Sequence, residues 1–301
     1  MLNNILNEMK KANAIVILTH QFPDGDAISS SIALKMLLGD KADIVIPSFP
    51  ESFTFLPGSD VIKKASDKKY DLAIALDCAN LIRLMGHEEY FKKAKRTIAI
   101  DHHVTNENFA KYNFVDASSP SCTQILAEIF RDREPISKDV ATCLLAGIVS
   151  DTSAFIERNV TAKTFEIVSF LTSRGADYQY VYENLMQHCT KDQFRLKQLI
   201  VSRVVINKKV AMSYLTKEDV FSGTAIDHKY LLSEYQYIDG VEVVVLFIEY
   251  ENAVKVSLRS RNTDILNICK KFDGGGHKTS AGCVIPGTLE NAKAKILKEL
   301  G

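Results

Sequence analysis

Residues 14–26 read AIVILTHQFPDGD, and this stretch indicates both a fold class and a type of site. Its first part, residues 14–18, is an apolar run without alternation, which is typical of a strand buried on both faces in a parallel sheet. Three groups that can bind a metal follow this run, namely His20, Asp24 and Asp26. The stretch therefore predicts a central strand that ends in a functional loop.

The N-terminal half repeats this pattern. Further apolar runs occur at residues 44–46, 72–76 and 97–100. Helical spacing predicts helices over residues 1–13, 27–38, 138–150 and 162–173, with Ser137 as the cap of the third. Because helical stretches separate the apolar runs, we predict an α/β fold with a mostly parallel sheet.

Length and a change of pattern indicate two domains. The 301 residues exceed the roughly 100–200 residues typical of one domain. After a helical stretch rich in Lys, Gln and Arg, β-branched runs occupy residues 210–215, 241–249 and 254–258, and helices are predicted at 263–272 and 289–300. We therefore predict an N-terminal domain at 1–187, a helical linker at 188–203 and a smaller α/β domain at 204–301, with the active-site cleft between the domains.

Composition excludes some classes of function. The chain has 37 basic and 37 acidic residues, and a formal charge of zero excludes binding to nucleic acid or membranes by bulk electrostatics. Six cysteines without a C-x-x-C pair predict reduced thiols, and no apolar run is long enough to span a membrane. We expect a cytoplasmic protein with no membrane association and no obligate protein partner, either a monomer or a homodimer.

Potential metal ligands follow the predicted strands. In an open parallel sheet, groups beyond the carboxyl ends of the strands meet at one edge. The residues expected at this edge are His20, Asp24, Asp26, Asp77, His102 and Asp151. A lone Asp after a strand is usually a cap or turn residue, but the H-x-x-x-D-x-D and D-H-H spacings favour metal binding. Clustered carboxylates need cations, and this mixed donor set suits two Mn²⁺ ions better than Fe, Co, Zn or Mg.

Six segments of the chain resemble the DHH phosphoesterase superfamily. HQFPDGDAISS, LDCAN, IDHHVTN and GIVSDTSAF are similar to its four motifs, and SLRS with GGGHKTSAG resembles the C-terminal DHH-associated domain. The segments occur in the family's order over most of the chain. The subgroup that they most resemble is the NrnA-type proteins, which degrade short RNA and remove the 3′-phosphate from pAp. This family favours glycine at the position of Ser153.

The resemblance implies a role for each site residue. One Mn²⁺ ion would be held by His20, Asp24 and Asp77, and a second by Asp26, Asp77, His102 and Asp151, with Mg²⁺ or Co²⁺ as substitutes. His103 would act at the scissile phosphate as a proton donor or hydrogen-bond partner, beside the bridging Asp77. Asp101 would orient a ligand histidine rather than bind metal. The substrate's nucleotide end would be bound by Arg259, Ser260, Gly275, Gly276 and His277, since arginine can bind phosphate with two hydrogen bonds.

The implied activity is manganese-dependent hydrolysis of short oligoribonucleotides to mononucleotides and of pAp to AMP, by two-metal activation of water. Two alternatives share this chemistry. One is a phosphodiesterase for linear dinucleotides such as pApA, and the other is a pyrophosphatase or polyphosphatase. The GGGH segment argues against a pyrophosphatase, because the related pyrophosphatases lack it. A nucleotide-binding protein without catalysis is disfavoured, because every implied ligand is present.

Overall fold

The structure is a computed structural model that describes residues 2–187, 190–220, 232, 235 and 237–301. The chain divides into two compact units, Met1–His188 and Cys189–Gly301. The first two residues of the predicted linker, 188 and 189, lie outside the described residues. In the part of the chain that is described, no helix has the length and apolar character needed to cross a membrane. All five cysteines described there are free thiols.

The N-terminal unit contains a five-stranded sheet in which every pairing is parallel. Its strands are β1 (Ile15–Leu18), β2 (Ala42–Ile44), β3 (Leu72–Leu76), β4 (Arg96–Asp101) and β5 (Tyr112–Val115), in the order β2-β1-β3-β4-β5. Its helices are α1 (Leu2–Lys11), α2 (Gly25–Leu38), α3 (Glu88–Lys93), α4 (Cys122–Phe130), α5 (Lys138–Asp151), α6 (Ala162–Ser173) and α7 (Tyr178–Tyr182), the last continued by a π-helical turn at Glu183–Gln187. The predicted parallel α/β architecture is confirmed.

Both faces of this sheet are buried, which explains the unbroken apolar runs in the sequence. Ile15 and Ile17 of β1 belong to a large core that includes α2, α4 and α5. Val16 and Leu18 face the other way, into a smaller core with Phe91 of α3. A strand with apolar partners on both faces needs apolar residues at every position. The apolar composition of β1 and β3 thus agrees with their place in the centre of the sheet, where both faces are buried.

The sequence analysis misplaced one strand and missed another. It predicted the second strand at residues 44–46, but β2 ends at Ile44, and Val45 forms only an isolated bridge with Lys63. Strand β5 was not predicted because its residues are only partly buried at the edge of the sheet, where Asn113 interrupts the apolar pattern. Edge strands lack the continuous burial that makes central strands recognisable.

The C-terminal unit contains a six-stranded mixed sheet. Its strands are β6 (Val205–Asn207), β7 (Val210–Leu215), β8 (Val243–Glu249), β9 (Ala253–Ser260), β10 (Gly275–His277) and β11 (Ser280–Pro286), in the order β10-β11-β9-β8-β7-β6. Its helices are α8 (Lys191–Ser202), α9 (Leu266–Lys270) and α10 (Leu289–Leu300). The predicted hairpin is β8–β9, whereas the helix predicted at 263–272 is limited to α9. The last three residues of the GGGH segment form the edge strand β10.

A buried carboxylate holds the edge strand β2 against the segment that follows it. Asp43 is 8% exposed and accepts hydrogen bonds from Lys63 Nζ at 2.7 Å, Lys68 Nζ at 3.1 Å and Tyr70 Oη at 3.0 Å. Burial alone raises the pKa of Asp43, but these three donors outweigh it and lower the pKa to about 2. The ionised form of Asp43 therefore stabilises the fold.

Asp43→Asn is expected to lower the free energy of unfolding at pH 7 by about 1–2 kcal/mol. The folded-state pKa lies below the unfolded value of 3.8, so this contribution is complete above that value and is lost as the pH falls toward 2. Urea unfolding of wild type and variant at pH 7 and near pH 2 measures the difference. Asp67→Asn, at an exposed position nearby, is the matched control. A difference that stays constant with pH would contradict this account.

Candidate metal centre and substrate-binding face

The sheet topology brings the predicted ligands to one edge. Strands β1, β3 and β4 are neighbours, and the segments carrying His20, Asp77 and His102 continue from their carboxyl ends. Two helices complete the set, because Asp26 lies in the first turn of α2 and Asp151 is the last residue of α5. Residues distant in sequence therefore converge, because the carboxyl ends of parallel strands lie at the same edge of the sheet.

The ligand atoms form two groups that meet at Asp77. His20 Nε2 lies 3.8 Å from Asp77 Oδ2 and 4.0 Å from Asp24 Oδ1. His102 Nε2 lies 3.3 Å from both Asp77 Oδ1 and Asp151 Oδ2. Ligand atoms lie within 4.8 Å of one another in the group His20, Asp24, Asp77 and in the group Asp26, His102, Asp151. The structure thus brings all six predicted ligands together, with one oxygen of Asp77 toward each group.

Asp77 has two unusual features. Its φ is 51°, in the left-handed region, which costs roughly 1–2 kcal/mol for a residue with a Cβ. Its Oδ1 atom is buried and accepts no well-formed hydrogen bond in the described part of the chain, although His102 Nε2 and His103 Nδ1 lie 3.3 and 3.5 Å away. A buried carboxylate oxygen without a well-formed hydrogen bond is unfavourable unless a cation binds it. This poorly satisfied oxygen fits a metal ligand.

Asp26 is held by the N-terminus of α4. Its Oδ2 accepts a hydrogen bond from the Cys122 amide at 2.6 Å. Its Oδ1 accepts from the amide and the hydroxyl of Thr123, at 3.0 Å and 2.6 Å. Two carboxylate oxygens offer about four acceptor sites, so one remains for a metal. The sequence analysis predicted Asp26 as a ligand but did not predict α4 or this support.

The carboxylates of the cluster perturb the pKa values of their neighbours. Burial raises the pKa of Asp26 well above its ordinary value, and Asp77 and Asp151 raise it further. Burial would lower the pKa of His102, but Asp77 and Asp151 outweigh it and raise that pKa well above the ordinary value. Both shifts have the same origin, since three carboxylates share a buried space. A divalent cation would neutralise the same charge, and the donor set of carboxylates and imidazoles fits one.

His103 and Asp101 form a hydrogen-bonded pair beside the ligands. Asp101 Oδ1 lies 2.8 Å from His103 Nδ1 and accepts from the His102 amide at 2.8 Å. Asp101 Oδ2 accepts from Asn106 Nδ2 at 2.7 Å. Burial would lower the pKa of His103, but Asp101 and Asp77 outweigh it and raise that pKa. The ring that Asp101 orients is therefore His103, whereas it contacts the expected ligand His102 only through the backbone.

The backbone after Asp151 turns sharply. Ser153, Ala154 and Phe155 have φ values of 48°, 57° and 71°, all in the left-handed region. Glycine adopts this conformation without a steric penalty, which accounts for the family's preference at the position of Ser153. The Thr152 hydroxyl supports the turn by accepting from the Phe155 amide at 3.1 Å. This turn ends α5 directly after Asp151 and so determines where that ligand lies.

Gly147 of α5 allows a close approach to Asp26. A Cβ atom at this position would lie 2.3 Å from Thr123 Cγ2 and 2.7 Å from Asp26 Oδ1. Separations under 3 Å are too short for any side chain, so helix α5 can pass Asp26 only because residue 147 is glycine. The same separations mean that any larger residue would displace the carboxylate.

Gly147→Ala is expected to cost about 1–3 kcal/mol of stability by overpacking and to weaken metal binding about 10–100-fold by displacing Asp26. Thermal unfolding and metal titration by calorimetry measure these two effects. Gly39→Ala is the control, because a Cβ there meets nothing within 4 Å and only its φ of 69° is strained. Wild-type metal affinity in Gly147→Ala would refute the close-approach argument.

Exposed apolar side chains surround the ligand loops, a feature that the sequence analysis overlooked. Phe22 is 78% exposed between His20 and Asp24, and Val104, next to His103, is 70% exposed. The Gln21 amide donates to the Arg83 carbonyl at 2.8 Å and so ties the first loop to the loop after β3. Solvent-facing loops are usually polar, so apolar residues inside the ligand motifs could have indicated these exposed side chains from the sequence.

The C-terminal unit aligns three of the predicted substrate-binding residues on one sheet face. Arg259 of β9 pairs with Ser280 of β11, which pairs with His277 of β10, so these three side chains form one row. The next row on the same face is Ser257, Gly282 and Gly275. A Cβ at Gly275 would meet nothing within 4 Å, so the surface above it is open.

The other two predicted residues serve the backbone. Ser260 follows Arg259 and therefore points to the opposite face, where its hydroxyl donates to the Thr263 carbonyl at 2.5 Å. Gly276 has a φ of 132°, and a Cβ there would lie 2.4 Å from the Ser280 carbonyl oxygen. Only glycine fits this position. These two residues shape the hairpin that carries the row of Arg259, Ser280 and His277.

Known proteins are similar to this chain in both sequence and fold. Residues 14–148 match the DHH family, N-terminal domain, and residues 207–301 match the DHHA1 domain. A bifunctional oligoribonuclease and PAP phosphatase NrnA of Thermus thermophilus is 31% identical, covering 94% of this chain and 88% of the relative. A probable protein of the same description from Streptococcus mutans is 27% identical, covering 95% and 94%.

Among solved structures, an exopolyphosphatase-related protein from Bacteroides fragilis has a TM-score of 0.88 at 25% identity, covering 99% of this chain and 94% of that one. The predicted resemblance is therefore confirmed over nearly the whole length. The sheet order, the ligand cluster and these similarities all indicate the same family. The chain belongs to the DHH family of phosphoesterases and carries a C-terminal DHHA1 domain, and it is a hydrolase.

Proposed function

We propose that this protein hydrolyses short oligoribonucleotides to mononucleotides and removes the 3′-phosphate from pAp. The observation that carries the proposal is the match, over nine-tenths of this chain, to relatives named bifunctional oligoribonuclease and PAP phosphatase. The complete ligand cluster and the open sheet face with Arg259 and His277 support it. Asp77 is strained and poorly satisfied without a cation, as expected for a residue kept for function.

We propose two Mn²⁺ ions as cofactors. The first would be held by His20, Asp24 and Asp77, and the second by Asp26, Asp77, His102 and Asp151. The convergence of these ligand atoms in two groups around Asp77 supports this division. Divalent ions supply positive charge to the phosphoryl oxygens and lower the pKa of water.

His103 is the residue we propose as proton donor. Asp101 and Asp77 raise its pKa, which favours the protonated ring, and Asp101 fixes the orientation of the ring through Nδ1. Proton transfer to the departing oxygen makes that oxygen a better leaving group. Asn106 completes the arrangement by binding the second oxygen of Asp101. A carboxylate–histidine pair of this kind keeps one ring nitrogen directed at the reacting group.

The C-terminal unit would bind the part of the substrate that is not cleaved. Arg259 can bind phosphate with two parallel hydrogen bonds, and the glycine beside it lets a sugar or phosphate approach the backbone. A chain with no net charge is not expected to bind long strands through bulk electrostatics. A few local phosphate contacts suffice for a short substrate.

The test is turnover of a panel with Mn²⁺ added: pAp, pApA, a five-nucleotide RNA, pyrophosphate and bis-p-nitrophenyl phosphate. We expect mononucleotides from the RNA and phosphate from pAp. Hydrolysis of pApA alone would assign the protein to dinucleotide turnover instead. Cleavage of pyrophosphate alone would overturn the role proposed for Arg259 and His277. Failure to bind any metal would indicate a nucleotide-binding protein without catalysis.

A further inference from the structure

We infer that Phe22 and the exposed apolar side chains beside it bind the base of the nucleotide whose phosphate is hydrolysed. The inference rests on the proposed function, because it adds a base-binding surface to the site where that phosphate would bind. It concerns only the N-terminal unit. Its consequence is that the enzyme requires a base next to the scissile phosphate but does not distinguish one base from another.

The most exposed apolar side chains of the molecule follow the proposed metal ligands. Phe22 and Ile82 are each 78% exposed, Val104 is 70% exposed and Ile156 is 62% exposed, more than any other large apolar side chain that the structure describes. They follow, by two to five residues, the ligands His20, Asp77, His102 and Asp151, in that order. Single exposed apolar residues are normal, but a group of them around one site indicates binding. We call these four side chains the apolar rim.

Short chain connections keep the apolar rim close to the ligands. Phe22 lies midway between His20 and Asp24, whose Nε2 and Oδ1 atoms are 4.0 Å apart. Consecutive Cα atoms are about 3.8 Å apart, so the Cα atom of Phe22 is within about 7.6 Å of that of each ligand residue. The Ile156 amide donates at 3.0 Å to the carbonyl of Thr152, which directly follows a ligand. A phosphoryl group bound at the ligands thus brings its nucleoside to the loops that carry these side chains.

The other two side chains extend this surface along the edge of the sheet. Strands β1, β3 and β4 are consecutive in the sheet, and the loops with Phe22, Ile82 and Val104 follow them in that order. The Gln21 amide donates to the Arg83 carbonyl at 2.8 Å, so the first two loops are in contact. Neighbouring strands are about 4.8 Å apart, so three loops span about 10 Å. This width fits one nucleoside.

The chemistry of the proposed substrate identifies the base as the occupant. A nucleotide consists of phosphate, a polar sugar and a base, and only the base has flat apolar faces. Stacking on an aromatic side chain tolerates any sequence, since every base has a π face. A protein partner fits the apolar rim poorly, because a stable interface buries about 800 Å² on each side and uses about 20–30 residues. Four side chains beside a phosphate site match a single nucleoside instead.

The test compares Phe22→Ala with wild type on pAp and on its base-free analogue, 1-deoxyribose 3,5-bisphosphate. Wild type is expected to prefer pAp by about 10–100-fold in kcat/KM, the range for stacking of one base. Phe22→Ala should lose most of this preference, because its KM for pAp rises while its turnover of the base-free analogue stays the same. Similar losses are expected on pGp, pCp and pUp.

A direct readout of stacking uses the absence of tryptophan from the chain. The Phe22→Trp variant keeps an aromatic ring at this position and carries a single tryptophan. With Mg²⁺ present, we expect AMP to quench its emission and ribose 5-phosphate to leave the emission unchanged, because only a base stacks on the indole face. Activity of this variant on pAp should stay within about threefold of wild type, since the stacking surface is retained.

Two controls separate a base contact from a structural role. Phe194→Ala removes a phenylalanine that is 52% exposed on α8, and it should change nothing. Metal content of Phe22→Ala should equal that of wild type, whereas damage to the ligand loop would lower it.

The outcomes distinguish this inference from the proposed function. If wild type hydrolyses pAp without preferring it to the base-free analogue, or if Phe22→Ala loses activity equally on both, the inference fails and the proposed function stands. Equal quenching of the Phe22→Trp variant by ribose 5-phosphate and AMP would also overturn the inference. If wild type hydrolyses neither pAp nor short RNA, both fail together.

Discussion

Replacing Asp77 with asparagine is expected to remove metal binding and lower kcat/KM to below about a thousandth of wild type. Asp77 lies between the two ligand groups, with one oxygen toward each, so its loss affects both groups. Asparagine tolerates the left-handed backbone at this position, so the fold should persist. The measurements are metal content by mass spectrometry and turnover of pAp with added Mn²⁺.

The control for Asp77→Asn is Asp132→Asn, because the side chain of Asp132 is 79% exposed and far in sequence from every ligand. Thermal unfolding in EDTA should give similar midpoints for wild type and both variants, which separates loss of metal from loss of fold. A variant that retains metal at both positions and most of its turnover would contradict the central place of Asp77 in the site.

Replacing His103 with asparagine is expected to lower kcat by about 10²–10⁴-fold, the range for loss of a general acid. The asparagine amide can still donate to Asp101, so the hydrogen bond at 2.8 Å has a replacement. The variant lacks the distal ring nitrogen that would deliver the proton. Metal content should therefore remain close to that of wild type while turnover is lost.

The comparison with His102→Asn distinguishes the two adjacent histidines. His102 Nε2 lies 3.3 Å from two carboxylates of the ligand cluster, so its replacement should lower metal content and turnover together. If His103→Asn instead loses metal in proportion to activity, the roles assigned to His102 and His103 are reversed. A substrate whose leaving group needs no proton, such as bis-p-nitrophenyl phosphate, should be affected less by His103→Asn than pAp is.

The sequence predicted the elements whose environment is uniform. Strand β3 was predicted with its exact ends because every residue of it is buried, and helix α6 because its pattern is regular up to Gly175. Two of the strands it missed lie where environments are mixed, whereas the missed helix α4 is almost entirely buried. Strand β5 is a half-exposed edge, and the glycine cluster was recognised as functional but not as strand β10. Periodicity reports burial, and it is weak where burial is partial.

For the candidate metal centre, the sequence by itself determined which residue types are present and that they follow strands. An unbroken apolar run that ends in His or Asp indicates a parallel strand with a functional loop. Only the tertiary structure decided how those residues are supported. The N-terminus of α4 holds Asp26, Gly147 makes room for it, and a left-handed turn directs Asp77. Strand register separates Arg259 from Ser260 and aligns Arg259 with Ser280 and His277. These contacts and alignments join residues far apart in the chain, so they depend on which strands and helices become neighbours. Local sequence patterns do not specify which elements become neighbours.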